Sequence, residues 1–297
     1  MKYVITGGAG HISKPLAQQL INAGHEVTII GRNEKNLEPL TSIGAKAAIG
    51  SVEDVQFLTE TFKGADAVYT MVPPNFAVTG DWLDFIAGVG QNYKQAIVAA
   101  GVKHVVNLSS IGAHLPEGVG PVSGLHRVEQ ALDELDGVNV LHLRPAYFFY
   151  NLFANIDMIK HMGIVGGNFG LPGQKIPMVH TQDIARIAAE AMLKLDFTGK
   201  SHRYIVSDEP TSDDIATVLG SASGKEGLKW IVFEDEQSLQ GMLKAGLPAV
   251  IAEKYVEMGR SMREGRMAEH YFATSNGQTG TVKLSDFAKE FEAAYQH

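Results

Sequence analysis

The chain reads as an α/β protein: a Rossmann-type doubly wound parallel sheet with a smaller, partly discontinuous C-terminal α+β lobe. Three observations predict this. Short apolar runs alternate with helical patterns through the first half of the 297 residues, and a glycine cluster after the first run leads straight into a helix. The alternation then gives way, near residue 150, to helices with isolated short strands and Gly-rich connections such as Gly163-Ile164-Val165-Gly166-Gly167.

The opening unit carries the most information. Lys2 to Thr6 reads as a strand, Gly7-Gly8-Ala9-Gly10 as a turn, and the following segment as a helix with Ile12, Leu16 and Leu20 on one face; Glu26 to Ile30 supplies the second strand of a βαβ unit. Gly7 permits the tight turn, Gly10 lets backbone approach a pyrophosphate, and the free amides of a helix starting near Ile12 point at the anion with the helix dipole behind them. Thr6, Gly7, Gly10, His11 and Ile12 are therefore candidate dinucleotide contacts. The third position of the glycine pattern is Ser13, and 32 glycines make chance spacings common, so the βαβ context carries the reading.

Further strands are predicted at Lys46 to Ile49, Asp66 to Met71, Lys103 to Ser109 and Val138 to Leu143, with helices between them and Ala23-Gly24 and Gly101-Val102 marking helix ends. Ligands on such sheets lie beyond the C-terminal strand ends, so the loops after Thr6, Ile30, Met71, Ser109 and Arg144 frame the expected site. The predicted division is an NAD(P)-binding domain over 1–150, to which 180–198 returns, and a substrate lobe of 151–179 and 199–297. The returning helix, Thr181 to Leu195, has Thr181 as its expected N-cap and Asp183 in its first turn. Ile251, Tyr255, Met258 and Met262 recur at helical spacing, with Met258 and Met262 either core or an adaptable lid.

The end of the second strand, Ile30-Gly31-Arg32-Asn33, decides the cofactor. A carboxylate there would bind ribose hydroxyls, whereas Arg32 offers a planar fork of donors to a 2′-phosphate, so NADP(H) is expected rather than NAD(H).

Composition narrows the partners. Twenty-five Lys and Arg against 33 Asp and Glu leave a net charge of −8, which opposes nucleic acid and anionic membrane surfaces and favours a small-molecule substrate. The chain contains no cysteine, which removes disulfides, thiolate metal sites and a Cys nucleophile; with no apolar signal segment or spanning run, a cytoplasmic location is expected. The eleven histidines lack metal-site spacing, so no metal is expected.

The T-G-G-x-G start, the Arg after the second strand, Met71-Val72-Pro73-Pro74, Leu108-Ser109-Ser110-Ile111-Gly112, Asp183-Ile184-Ala185 and above all Leu143-Arg144-Pro145-Ala146-Tyr147-Phe148-Phe149-Tyr150-Asn151-Leu152 resemble the NmrA-like branch of the atypical short-chain dehydrogenases/reductases, over nearly the whole length. The resemblance implies a Rossmann-type domain holding NADP(H) and a small lobe closing over a substrate cleft. It covers NADPH-dependent reductases of quinones and dyes, and also cofactor sensors that catalyse nothing.

The parent superfamily uses a Tyr-x-x-x-Lys pair as its acid. Here no tyrosine lies between Tyr93 and Tyr147; if His126 takes the lysine position, Val122 takes that of the tyrosine and has no proton to give. A sugar-nucleotide epimerase working by that pair is accordingly disfavoured. Hydride transfer to a quinone-like or otherwise conjugated acceptor needs less acid and relies on positioning. The candidates are Ser109 and His126 for catalysis, each also a possible cofactor contact; Met71, Val72, Pro73 and Tyr147 beside the cofactor; and Pro74, Ile111, Phe148, Phe149 and Asn151 for the substrate. Ser109 has a turn-capping alternative and Asn151 a helix-capping one. A non-catalytic NADP(H) sensor acting on a protein partner stays open beside the reductase.

Overall fold

A computed structural model describes residues 1–275 and 277–297. Six strands from the first half, β1 (Lys2–Ile5), β2 (Glu26–Gly31), β3 (Lys46–Ile49), β4 (Ala67–Thr70), β5 (His104–Leu108) and β6 (Asn139–Pro145), are followed by β7 (Tyr147–Phe148), β8 (Val165–Gly167), β9 (Met178–Val179), β10 (Lys200–Ile205) and β11 (Trp230–Val232). The helices are α1 (Ser13–Asn22), α2 (Glu38–Thr41), α3 (Val55–Phe62), α4 (Trp82–Ala100), α5 (Val122–Asp133), α6 (Ile156–Met162), α7 (Thr181–Lys194), α8 (Ser212–Ala222), α9 (Asp235–Lys244), α10 (Ala249–Arg263), α11 (Arg266–Thr274) and α12 (Leu284–Gln296).

The main sheet runs β10-β6-β5-β4-β1-β2-β3, with every neighbouring pair parallel. Its central strands are buried on both faces, which is why β4 and the buried part of β1 read as unbroken apolar runs rather than alternating ones. One face packs Leu16 and Leu20 of α1 against Ile184 and Ala188 of α7, and the other packs α3, α4 and α5 over Val4, Val68 and Val105. The strand order reverses between β1 and β4, so the crevice of a doubly wound sheet opens there.

The seventh strand corrects the predicted division. Lys200–Ile205 lies in the stretch assigned to the substrate lobe, yet it pairs with β6 from Lys200↔Val140 to Ile205↔Pro145 as the sheet's edge. Its sequence, KSHRYI, is polar because an edge strand needs only one covered face. Met267 and Tyr271 of α11 likewise pack into the core beside α1 and α7. The remaining C-terminal elements gather around a third apolar cluster, in which Phe149, Leu152, Ile215, Trp230, Phe287 and Phe291 are buried.

The predicted helix beginning at Thr181 starts there, but its cap is the preceding His180, whose Nδ1 accepts from the Gln182 amide at 3.2 Å. Asp183 turns inward rather than sitting on the surface of the first turn. Only 2% exposed, it accepts from the Ser207 hydroxyl (2.8 Å) and the amides of Thr281 and Val282 (2.9 and 3.0 Å), fastening the chain before α12 to the nucleotide-side helix. Burial works against its charge, but these donors prevail and hold the carboxyl below its usual range. Among the described residues no helix is long and apolar enough to cross a membrane.

Candidate functional site

Four strand ends converge on a groove of about 940 Å³ at the switch point. Gly7 to Lys14 line it after β1, Gly31 to Asn33 after β2, Gly50 to Glu53 after β3, and Met71 with Pro73 to Asn75 after β4. Gly7 has φ +94, and a Cβ there would come within 2.5 Å of the Ser13 Oγ. The Ser13 hydroxyl donates to the Thr6 carbonyl at 2.8 Å. Serine in the third position of the pattern thus uses the space that the glycine in the first leaves free. Among the described residues no backbone carbonyl accepts from the amides of His11 and Ile12, so the N-terminus of α1 faces the groove with donors to spare.

Of the sequence candidates, Gly7, Gly10, His11, Ile12, Arg32, Met71 and Pro73 line this groove, and so does Pro74, which had been placed with the substrate. Two do not. Thr6 is fully buried, and its Oγ1 accepts from the Met71 amide at 2.9 Å while the Tyr93 hydroxyl donates to the Met71 carbonyl at 2.6 Å. Thr6 fixes the exit of β4 from beneath the groove. Val72 turns away from the groove and packs against the core beneath α3 and α4.

A second cavity of about 780 Å³ adjoins the groove, and Phe148 and Tyr150 line both. His11 stacks on Tyr150 with ring centroids 4.3 Å apart, so the helix terminus and the aromatic segment after β6 meet at this junction. The cavity's walls are predominantly apolar: Ile111 from the loop after β5, Tyr147 and Asn151 after β6, Tyr255, Met258 and Met262 from α10, and Met267 and Phe272 from α11. The two methionines of the α10 stripe therefore face a cavity, Met258 and Met262 giving it an adaptable wall.

What holds α10 in place is polar. Asn168 Nδ2 donates to the Val256 carbonyl (2.9 Å), Gln174 Nε2 donates to the Met262 carbonyl (2.9 Å), and Arg260 and Arg263 both pair with Asp235 at 2.5 and 3.0 Å. Burial would raise the Asp235 pKa, but hydrogen bonds from Asn168, Arg263 and Arg260 hold it down at about 2. Gly120 is the steric condition for this placement: with φ +61, it lies so close to α10 that a Cβ would stand 2.1 Å from the Lys254 carbonyl oxygen.

The structure redirects four other candidates. Ser109 lines neither cavity; its hydroxyl donates to Glu129 Oε1 at 2.5 Å, and Glu129 is held by Arg144 through a two-pronged pair, Nε to Oε1 at 3.0 Å and Nη2 to Oε2 at 2.6 Å. A buried carboxylate needs those donors, and the serine is one of them. His126 also lines neither cavity. Its Nδ1 donates to the Ala113 carbonyl at 2.8 Å, which ties α5 to the loop after β5. Phe149, expected against substrate, is wholly buried and stacks on Phe287 at 5.5 Å. Tyr147 lines the cavity rather than the groove, with its ring against Phe169 at 5.2 Å. Val122, which takes the tyrosine position if His126 takes that of the lysine, is buried. Among the described residues no group of three or more His, Cys, Asp or Glu side chains is placed to hold a metal ion.

Sequence reasoning missed the share of α11 and of Tyr255 in the cavity wall. Amphipathic spacing marks an inward face, but it does not say whether that face meets core or empty space.

A sequence profile of the NmrA-like family matches residues 2–264. A (4-alkanoyl-5-oxo-2,5-dihydrofuran-3-yl)methyl phosphate reductase of Streptomyces griseus is 24% identical over 267 residues, spanning 89% of this chain and 88% of that protein. Among solved structures, an NADPH-dependent quinone oxidoreductase of Escherichia coli complexed with NADPH superposes with a TM-score of 0.82 at 20% identity, covering 97% of this chain and 99% of that one. The triphenylmethane reductase of Citrobacter sp. complexed with NADP(H) gives 0.79 at 19% identity, over 98% and 100%. These structural likenesses establish the shared fold.

Proposed function

The chain belongs to the NmrA-like family, and on that premise we propose that it is an NADPH-dependent reductase of quinone-like or other conjugated small molecules. The observation that carries the proposal is the junction at Phe148 and Tyr150, where a glycine-lined groove built for an anion opens directly into an aromatic cavity. The groove fits a dinucleotide. It has a helix N-terminus with free amides, a glycine whose Cβ would fill the cradle, and an exposed Arg32 one strand away. In this reading Gly7 to Ile12 hold the diphosphate, Arg32 takes the 2′-phosphate, and Met71 and Pro73 border the ribose and adenosine.

When bound, NADPH supplies the hydride. The chain's own contribution is to hold a flat acceptor against it and to exclude water, and near-attack positioning can be worth roughly 7–11 kcal/mol in favourable cases. Ile111, Phe148 and the methionines of α10 do this by shape. The reductase names of the E. coli and Citrobacter proteins support this choice of reaction. The experiment is NADPH oxidation against a panel of quinones and dyes; binding of NADPH without turnover of any acceptor would exclude the reductase.

One observation favours a second reading. Val122 replaces the acid, and Ser109 and His126 are both engaged inside the protein, as suits a sensor whose NADP(H) occupancy alters a partner surface. That reading requires a partner whose affinity changes with the cofactor.

A further inference from the structure

The cavity is apolar, yet three tyrosines line it: the exposed Tyr150 at its junction with the groove, and, deeper in the fold, Tyr147 of β7 and Tyr255 of α10. Three other polar side chains on the wall are already committed. The Ser110 hydroxyl donates to the Ile111 carbonyl (3.0 Å), Gln174 is spent on Met262, Arg263 and Leu171, and Asn168 on Val256 and Asp235. Asn151, on the same wall, is exposed. Both rings are braced from behind, Tyr147 by Phe169 at 5.2 Å and Tyr255 edge-on by Trp82 at 5.5 Å. Among the described residues no carboxylate lines the cavity, so nothing there balances a cationic ligand; Lys175, which does line it, is 3.8 Å from Glu209.

From this arrangement we infer that Tyr147 and Tyr255 form a donor pair for the oxygen of a neutral, planar carbonyl compound, and that the site selects quinones over cationic triarylmethane dyes. The inference rests on the reading of the cavity as the acceptor site. The two hydroxyls stand where the superfamily's own tyrosine does not, on β7 and α10 rather than on α5. Burial raises the pKa of both phenols, so they remain protonated donors through the neutral range. As the acceptor takes up two electrons and a proton with the hydride, negative charge builds on its oxygen, and fixed donors stabilise that charge most where water is excluded. The second proton that completes the hydroquinone comes from solvent.

The test uses two ligands of one shape, menadione and 2-methylnaphthalene, which differ in the oxygens. Binding to the NADP⁺-loaded full chain is measured for wild type and for Tyr147→Phe, Tyr255→Phe and the double variant, each checked by circular dichroism. Wild type should hold the quinone roughly tenfold more tightly than the hydrocarbon, and that preference should fall about threefold with each hydroxyl removed while hydrocarbon binding stays level. Substitutions that weaken both ligands alike, or neither, overturn the inference in favour of simple packing. Because this comparison needs no turnover, it decides the donor pair even if every acceptor goes unreduced. Where turnover occurs, kcat with menadione should drop at least tenfold in the double variant, and a cationic dye reduced faster than menadione by wild type would overturn the selectivity.

Discussion

Arg32→Ala is the sharpest perturbation of the groove. The guanidinium is exposed, lines the groove after β2, and stands on a strand end with no acid at its tip. Two charge-assisted hydrogen bonds to a 2′-phosphate at about 1.5–3 kcal/mol each would total about 3–6 kcal/mol if fully buried. Exposure and screening reduce the expected loss to about 1.5–3 kcal/mol. At about 1.4 kcal/mol per decade, the Kd for NADP⁺ should rise about 10- to 150-fold. NAD⁺, which lacks the phosphate, should weaken by less than about twofold. Arg32→Lys keeps the charge and loses the fork, so it should fall between the two. Calorimetric titration of both nucleotides into the three proteins measures this, and added salt should narrow the NADP⁺ gap. Equal losses for NADP⁺ and NAD⁺ would refute the phosphate assignment.

Gly7→Ala should abolish measurable dinucleotide binding while leaving most of the fold, because the new Cβ drives the Ser13 hydroxyl off the Thr6 carbonyl at the mouth of the groove; retained affinity within threefold would contradict the cradle. Asp183→Ala leaves the Thr281 and Val282 amides and the Ser207 hydroxyl without their acceptor, and should cost about 3–5 kcal/mol in denaturant unfolding. A loss below about 1 kcal/mol would show that the segment before α12 is held by packing alone. Asp235 has a depressed pKa, so its contribution to stability is complete above the ordinary value of 3.8 and disappears as pH falls towards about 2. Melting curves of wild type and Asp235→Asn should therefore differ most above pH 4 and converge near pH 2, whereas a gap independent of pH would remove the carboxylate from the account.

The strands of the first half were legible because each is a short apolar run bounded by turn residues, and a sheet buried on both faces leaves no other pattern for them to take. The groove was legible for a related reason, since its glycines sit at strand ends where only a turn fits. Lys200–Ile205 escaped because an edge strand can be polar and carry histidine and arginine. The roles of single side chains escaped for a different reason. Nothing around Ser109 in the sequence shows that Glu129 and Arg144, 20 and 35 positions away, converge on it, and Phe149 looks no different from Phe148 until α12 is seen to cover one and not the other.

The inward turn of Ser109 and the loss of the tyrosine at Val122 have one chemical consequence. In the superfamily's arrangement a tyrosine hydroxyl acts on the substrate oxygen as its acid. Here the serine satisfies a buried Glu129–Arg144 pair, and the α5 position holds a buried valine, so that wall of the cleft has no donor to offer. A substrate that needs a strong acid at its carbonyl would find none there. Tyr147 and Tyr255 instead bring hydroxyls to the cavity wall, among methionines and aromatic rings. Such a wall favours acceptors that already disperse charge over a conjugated frame, and its methionines repack around ligands of different outline. For the proposed reductase, breadth of acceptor shape joined to a requirement for conjugation would follow from where the polar groups have gone.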